Sequence, residues 1–178
     1  MTMKRGDIVC FYGKGLLFRV LSGLLCIFDG YWRSLPRKFW HTAILWREDY
    51  GGWFIMEAVA SGVKINYFSN NELKERAKVY HWLDARPTHQ KMARFLKEHI
   101  NKRYDVAIYF WTATSIILRH FWNRRIPKLL DDRYDCWELA EAFASFFNKS
   151  MMPHEYDTII ISDMVKALER KGEVNAQR

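Results

Sequence analysis

The sequence predicts an α+β fold, with a small, mostly antiparallel sheet packed with helices. Three observations carry this expectation. Two runs rich in β-branched and aromatic residues, His41–Trp46 and Trp53–Ala58, flank a turn signal at Asp49, Gly51 and Gly52, which reads as a β-hairpin. Apolar residues recur at helical spacing in several longer stretches. Late in the chain, Asp135 is of N-cap type and Glu138 follows at capping-box spacing, so a helix should begin at Cys136.

The elements follow in order. Ile8–Tyr12 reads as the first strand. Gly15–Phe28 carries Leu16, Leu17, Val20, Leu24 and Ile27 on one helical stripe, and a core-facing role is favoured over membrane-surface binding. Gly30–Phe39 reads as a basic, aromatic loop leading into the hairpin. With the hairpin centred on Asp49, Trp46 faces Gly52 and His41 faces Glu57. Directly opposed partners have Cβ atoms about 4.5–5.5 Å apart, so this register sets an imidazole beside a carboxylate.

Ser61-Gly62 marks a turn before a strand at Val63–Tyr67, and Asn70-Asn71 marks a break. Lys78–Leu83 reads as a strand, with His81 on the surface. Pro87 and Thr88 open a helix whose inner face is Met92, Phe95, Leu96 and Ile100. Asp105–Leu118 is expected to be a further helix. In the helix that starts at Cys136, Ala140, Phe143, Ala144 and Phe147 continue the cysteine's face and anchor it to the core. Ser162 is expected to cap a last helix reaching about Lys171, with Gly172 as its stop. Residues 1–172 form one expected domain and 173–178 a frayed tail.

Composition narrows the function classes. Hydrophobic residues make up 49% of the 178-residue chain, which excludes a disordered protein. Lys and Arg total 28 against 20 Asp and Glu, giving +8 and favouring anionic partners. The densest basic run, Arg119–Lys128, interleaves aromatics and could meet an anionic surface. No nucleic-acid motif accompanies it, so a nucleic-acid partner is not expected. The first residues show no signal-peptide core, and the apolar stretch Ala107–Leu118 is too short to span a bilayer. The expected location is therefore cytoplasmic, unless a lysis or secretion system exports the protein. Cys10, Cys26 and Cys136 show neither disulfide nor metal spacing, and no Gly-rich phosphate loop or metal-ligand cluster is present, so no cofactor is expected.

The chemistry-bearing residues are Cys136, His41 and Glu57. A cysteine at a helix start meets unpaired N–H groups and the positive end of the dipole, which favour a thiolate, although Asp135 opposes this. A free thiol has a pKa of about 8.5, so a neighbouring imidazole would help to populate the nucleophile. Acyl transfer needs a nucleophile, a base and a group that orients the base, and these three side chains supply that set.

The order Gly6-Asp7-Ile8-Val9, His41-Thr42-Ala43-Ile44, Glu57-Ala58, Tyr104-Asp105 and Tyr134-Asp135-Cys136-Trp137-Glu138-Leu139 resembles the circularly permuted NlpC-like papain-fold hydrolases. That branch includes the YiiX/YaeF-like proteins and the lecithin:retinol acyltransferase-like enzymes. The resemblance spans about residues 5–165. It implies a permuted papain-like fold, with Cys136 as nucleophile, His41 as general base and Glu57 as the orienting residue. It also implies that the Tyr104 phenol lies near the oxyanion. Trp137 departs from the small residue, often Ser, that many relatives carry after the nucleophile, and this bears on the pocket shape. The implied activity is cleavage of an amide or ester bond, in a peptide, an isopeptide or peptidoglycan, through an acyl-enzyme. The alternatives are an acyltransferase or lipid-directed hydrolase acting on an acyl-lipid, and a non-catalytic binding module of the same fold.

Overall fold

Alternating burial is what builds the sheet. In the computed structural model, which describes residues 2–14, 39–104, 114, 121, 135–152 and 161–176, five strands form one antiparallel sheet. They are β1 (Ile8–Tyr12), β2 (Phe39–Asp49), β3 (Gly52–Val59), β4 (Gly62–Ser69) and β5 (Ala77–Tyr80), in the spatial order β4-β3-β2-β1-β5. Four helices are described: α1 (Asn70–Arg76), α2 (His89–His99), α3 (Cys136–Phe146) and α4 (Ile161–Ala176).

Successive strand side chains point to opposite faces, and each face has its own core. Ile8, Cys10, Ile44, Met56 and Ala58 pack with α2, α3 and α4 through Phe95, Phe143 and Leu168. Val9, Phe11, Ala43, Leu45 and Ile55 form the other face, which Leu73 of α1 covers. At about 25 cal/mol per Å², each large side chain removed from water contributes roughly 1.5–3 kcal/mol, so the broader first layer supplies most of the burial.

The hairpin differs from its sequence-based register. Asp49 pairs with Gly52 across Tyr50-Gly51, and Gly51 takes φ +77°, a conformation cheap only for glycine. Trp46 then bulges between Leu45 and Arg47, and Glu57 faces Ala43, two residues from the expected His41. A two-residue slip preserves the face, so His41 and Glu57 are diagonal neighbours instead of opposed ones.

Three further expectations are corrected. Asn70-Asn71 opens helix α1, because Ser69 and Glu72 form a capping box: Ser69 Oγ accepts from Glu72 N (3.2 Å) and Glu72 Oε2 from Ser69 N (2.9 Å). Strand β5 ends at Tyr80 because its partner begins at Ile8, and His81 turns to Asp7 as a half-buried pair (Nδ1–Oδ1 2.7 Å). Helix α4 runs through Gly172 to Ala176, since a mid-helix glycine costs only about 1 kcal/mol against alanine and the residues after it can continue the helix. The helix expected over 15–28, the loop over 30–38, and, apart from Thr114 and Phe121, the helix over 105–118 and the basic run 119–128 lie outside the described residues. No helix among the described residues is long and apolar enough to cross a membrane.

Candidate active site

Glu57 is the hub of a polar line across three strands. Its Oε2 meets His41 Nε2 of β2 at 2.5 Å, and its Oε1 accepts from Asn66 Nδ2 of β4 at 2.6 Å. Both partners are diagonal to it in the ladder, since Glu57 faces Ala43 on one side and Lys64 on the other. Glu57 is 5% exposed. Burial pushes its carboxyl pKa up, but the His41 hydrogen bond and charge, with the Asn66 amide, outweigh that and hold it below the ordinary carboxylate range. Phe11, opposite His41 on β1, stacks on the imidazole with ring centroids 5.9 Å apart. The ring is thus clamped by a carboxylate and an aromatic face, and with Nε2 on Glu57 its Nδ1 is the nitrogen left for chemistry.

Cys136 comes to β2 from the other layer. Asp135 caps α3 through Oδ1, accepting from Trp137 N and Glu138 N (both 2.7 Å), and Glu138 Oε2 accepts from Asp135 N (3.1 Å). This is the expected capping box, and it fixes the thiol at the helix start. Leu45 N donates to Asp7 O on the β1 side (2.9 Å). N–H groups alternate sides along a strand, so Thr42 N–H points toward β3. The β2–β3 ladder, however, ends at Ala43 and Glu57, although β2 starts at Phe39 and β3 runs to Val59. At this parting of the strands the N–H groups of Thr42 and of Cys136 itself lie close enough to the Cys136 sulfur to favour its thiolate.

The thiol therefore adjoins β2 one residue beyond His41. No hydrogen bond among the described residues joins its sulfur to the imidazole, which lies on the Phe11 and Glu57 face. Cys136 is 4% exposed. Burial first, and then the Asp135 charge, push its pKa well up; the two N–H groups pull the other way and do not prevail. The lowered thiol pKa expected from the helix N-terminus is thus corrected: desolvation exceeds the dipole effect, and the resting sulfur is Sγ–H.

Tyr104 is buried in the apolar cluster that holds Cys136, Ala58 and Val63. Its segment is pinned to β4 by Val63 N donating to Lys102 O (3.0 Å) and Asn101 N to Val63 O (3.1 Å). Asp105, Tyr134 and Cys26 lie outside the described residues. Cys10 is buried beside Thr42, with its sulfur 4.0 Å from Oγ1.

Sequence reading missed Asn66, Phe11 and the Thr42 amide. Asn66 was readable, since alternation in β4 puts it on the Glu57 face once the turn at Ser61-Gly62 is fixed. Phe11 and Thr42 depend on long-range pairing and left no local signal. Among the described residues no group of three or more His, Cys, Asp or Glu is placed to hold a metal ion. No family model and no curated protein matches the chain.

Proposed function

We propose that the chain is a permuted papain-like, thiol-dependent hydrolase that cleaves an amide or ester bond through an acyl-enzyme on Cys136. The observation that carries this reading is the Glu57-held imidazole one residue along β2 from the amide that faces the Cys136 sulfur. His41 Nδ1 takes the Sγ proton as sulfur attacks the acyl carbon. The leaving amine or alcohol then takes that proton from His41. Water, activated by the same nitrogen, attacks the thioester, releasing the acid and restoring Sγ–H. Because the resting thiol is neutral, proton transfer accompanies attack. His41 lies on the Phe11 and Glu57 face and Cys136 in the other layer, so the ring must turn round the point where β2 and β3 part before Nδ1 can reach Sγ. The Cys136 N–H, at a helix start, is one oxyanion donor, and Tyr104 is the candidate for a second. The substrate class is a peptide or isopeptide bond, as in peptidoglycan, or an acyl-lipid. A cytoplasmic site of action goes with this reading.

A second reading, a non-catalytic binding module, is favoured by the burial of the thiol. Intact mass measurement during incubation with p-nitrophenyl esters and with muropeptides separates the two. Hydrolysis predicts a transient acyl adduct on Cys136, absent from Cys136→Ala. Added amine or alcohol acceptors that collect the acyl group would mark an acyltransferase. No adduct and no turnover across the panel would favour the binding module.

A further inference from the structure

A second polar site lies at the opposite end of β1 from His41. Its walls are the segment around Lys4–Asp7 and the segment His81–Arg86, with Lys171 reaching in from α4, and they enclose a pocket of about 470 Å³. The two segments are locked together. Gly6 takes φ +86° with Pro87 packed so closely that a Cβ there would lie 2.7 Å from the proline ring, and Gly6 N donates to Leu45 O (2.8 Å).

The charges lining this pocket are unbalanced. Four cations, Lys4, Arg5, Arg86 and Lys171, face two carboxylates, Asp7 and Asp84. Both carboxylates are already engaged. Asp7 accepts from Lys4 N (2.6 Å) and pairs with His81, while Asp84 pairs with Lys149 (2.6 Å) and Lys171 (3.3 Å). Arg5 is spent on Pro87 O (3.3 Å) and His89 Nε2 (2.5 Å), and its Nε is buried without a partner. Among the described residues the side chains of Lys4 and Arg86 form no ion pair, and Asp7, the carboxylate that feels the Lys4 charge, is already engaged by His81 and the Lys4 amide. Arg5 and Arg86 are close enough for mutual repulsion to lower the Arg5 pKa, second to burial. Cations in excess over the engaged carboxylates leave repulsion that a bound oxyanion would relieve.

We infer that this pocket binds a phosphate-type oxyanion, with Lys4 and Arg86, whose side chains form no ion pair among the described residues, as its cationic contacts. The site is independent of the thiol chemistry, and its test does not use turnover. Titration calorimetry with inorganic phosphate and pyrophosphate, against KCl of matched ionic strength, should show saturable binding to the intact chain. The double variant Lys4→Gln, Arg86→Gln should weaken it at least tenfold. Both residues are exposed, so folding should persist, and thermal unfolding checks this. Vesicles of phosphatidylcholine with phosphatidic acid tell the sources apart. Binding that falls in the double variant marks a lipid headgroup, and binding to free phosphate alone marks a soluble anion. Heats reproduced by KCl, or equal in wild type and double variant with no vesicle binding, would overturn the inference.

Discussion

Glu57 grips His41 across the ladder on a diagonal, Oε2 to Nε2 at 2.5 Å, while directly facing Ala43. The carboxylate therefore fixes which imidazole nitrogen is free. If His41 is the base, its loss removes proton transfer itself, a contribution of about 10²–10⁴-fold. Glu57→Gln keeps the shape and loses only charge and part of the orientation. We predict that kcat/KM falls more in His41→Ala than in Glu57→Gln. A Glu57→Gln variant as active as wild type would remove Glu57 from the mechanism.

The pairing behind this prediction was legible for a physical reason. Side-chain direction in a strand has period two, so placing Glu57 two residues out of register still put it on the His41 face. The turn at Tyr50-Gly51 alone would shift the register by three, and the Trp46 bulge takes one back and so keeps Glu57 on the His41 face; local sequence did not choose between the possible turns. Helix α1 was legible from Ser69 and Glu72, but the two asparagines after Ser69 were read as a break. The start of α3 was fully local, since Asp135 and Glu138 cap it without help from the rest of the chain. What Cys136 meets was not local. The parting of β2 and β3 beside Thr42 arises from pairing over long separations, and the thiol's burial follows from it.

Asn66 supports a rescue prediction. Its Nδ2 donates to Glu57 Oε1, so in Glu57→Gln the new amide NH₂ is satisfied only if Asn66 flips to offer Oδ1 or if that NH₂ turns to His41. Adding Asn66→Asp supplies an acceptor for that NH₂ and leaves the Gln oxygen for His41. The double variant should regain part of the activity lost in Glu57→Gln, whereas Asn66→Asp alone should reduce activity by setting two carboxylates together. Two independent, additive losses in the kinetic cycle would show that Asn66 does not act through Glu57.

The pH dependence of stability reports the same pair. The Glu57 pKa is depressed in the folded protein, so its stabilisation is present above the ordinary carboxylate value of 4.5 and is lost as pH falls through the folded value. Asn66→Ala removes one group that lowers this pKa. Chemical denaturation between pH 3 and 7 should show a smaller acid loss in the variant than in wild type, and identical curves would contradict the assignment.

Alkylation should expose the protonated state of Cys136. Burial and Asp135 hold the thiol above its ordinary pKa, so iodoacetamide should modify it more slowly at neutral pH than a cysteine in an unfolded peptide. The rate should climb with pH past the ordinary thiol range. Cys136 should still react before Cys10, which is fully buried, whereas Cys136 is 4% exposed at a helix start. Peptide mapping over a pH series reads all of this. Rapid labelling with a plateau below pH 8 would show an activated thiolate instead.

Cys10 gives the last prediction, in the alkaline limb. Its sulfur is enclosed under β2, 4.0 Å from Thr42 Oγ1, and burial pushes its pKa from 9.0 to about 12. In the unfolded chain the thiol ionises near the lower value, so between the two the unfolded state holds fewer protons than the folded one. Stability from this group is thus complete below pH 9.0 and is lost as pH rises toward about 12. The slope approaches about 1.4 kcal/mol per pH unit for a fully coupled group. Cys10→Ala leaves a small cavity and lowers stability at pH 7, but it removes this titration. The unfolding free energy of Cys10→Ala should therefore fall less steeply between pH 9 and 11 than that of wild type, so that the two curves converge. Parallel curves would mean that the Cys10 thiol ionises as readily in the folded protein as in the unfolded chain, and that the core beneath Thr42 admits water.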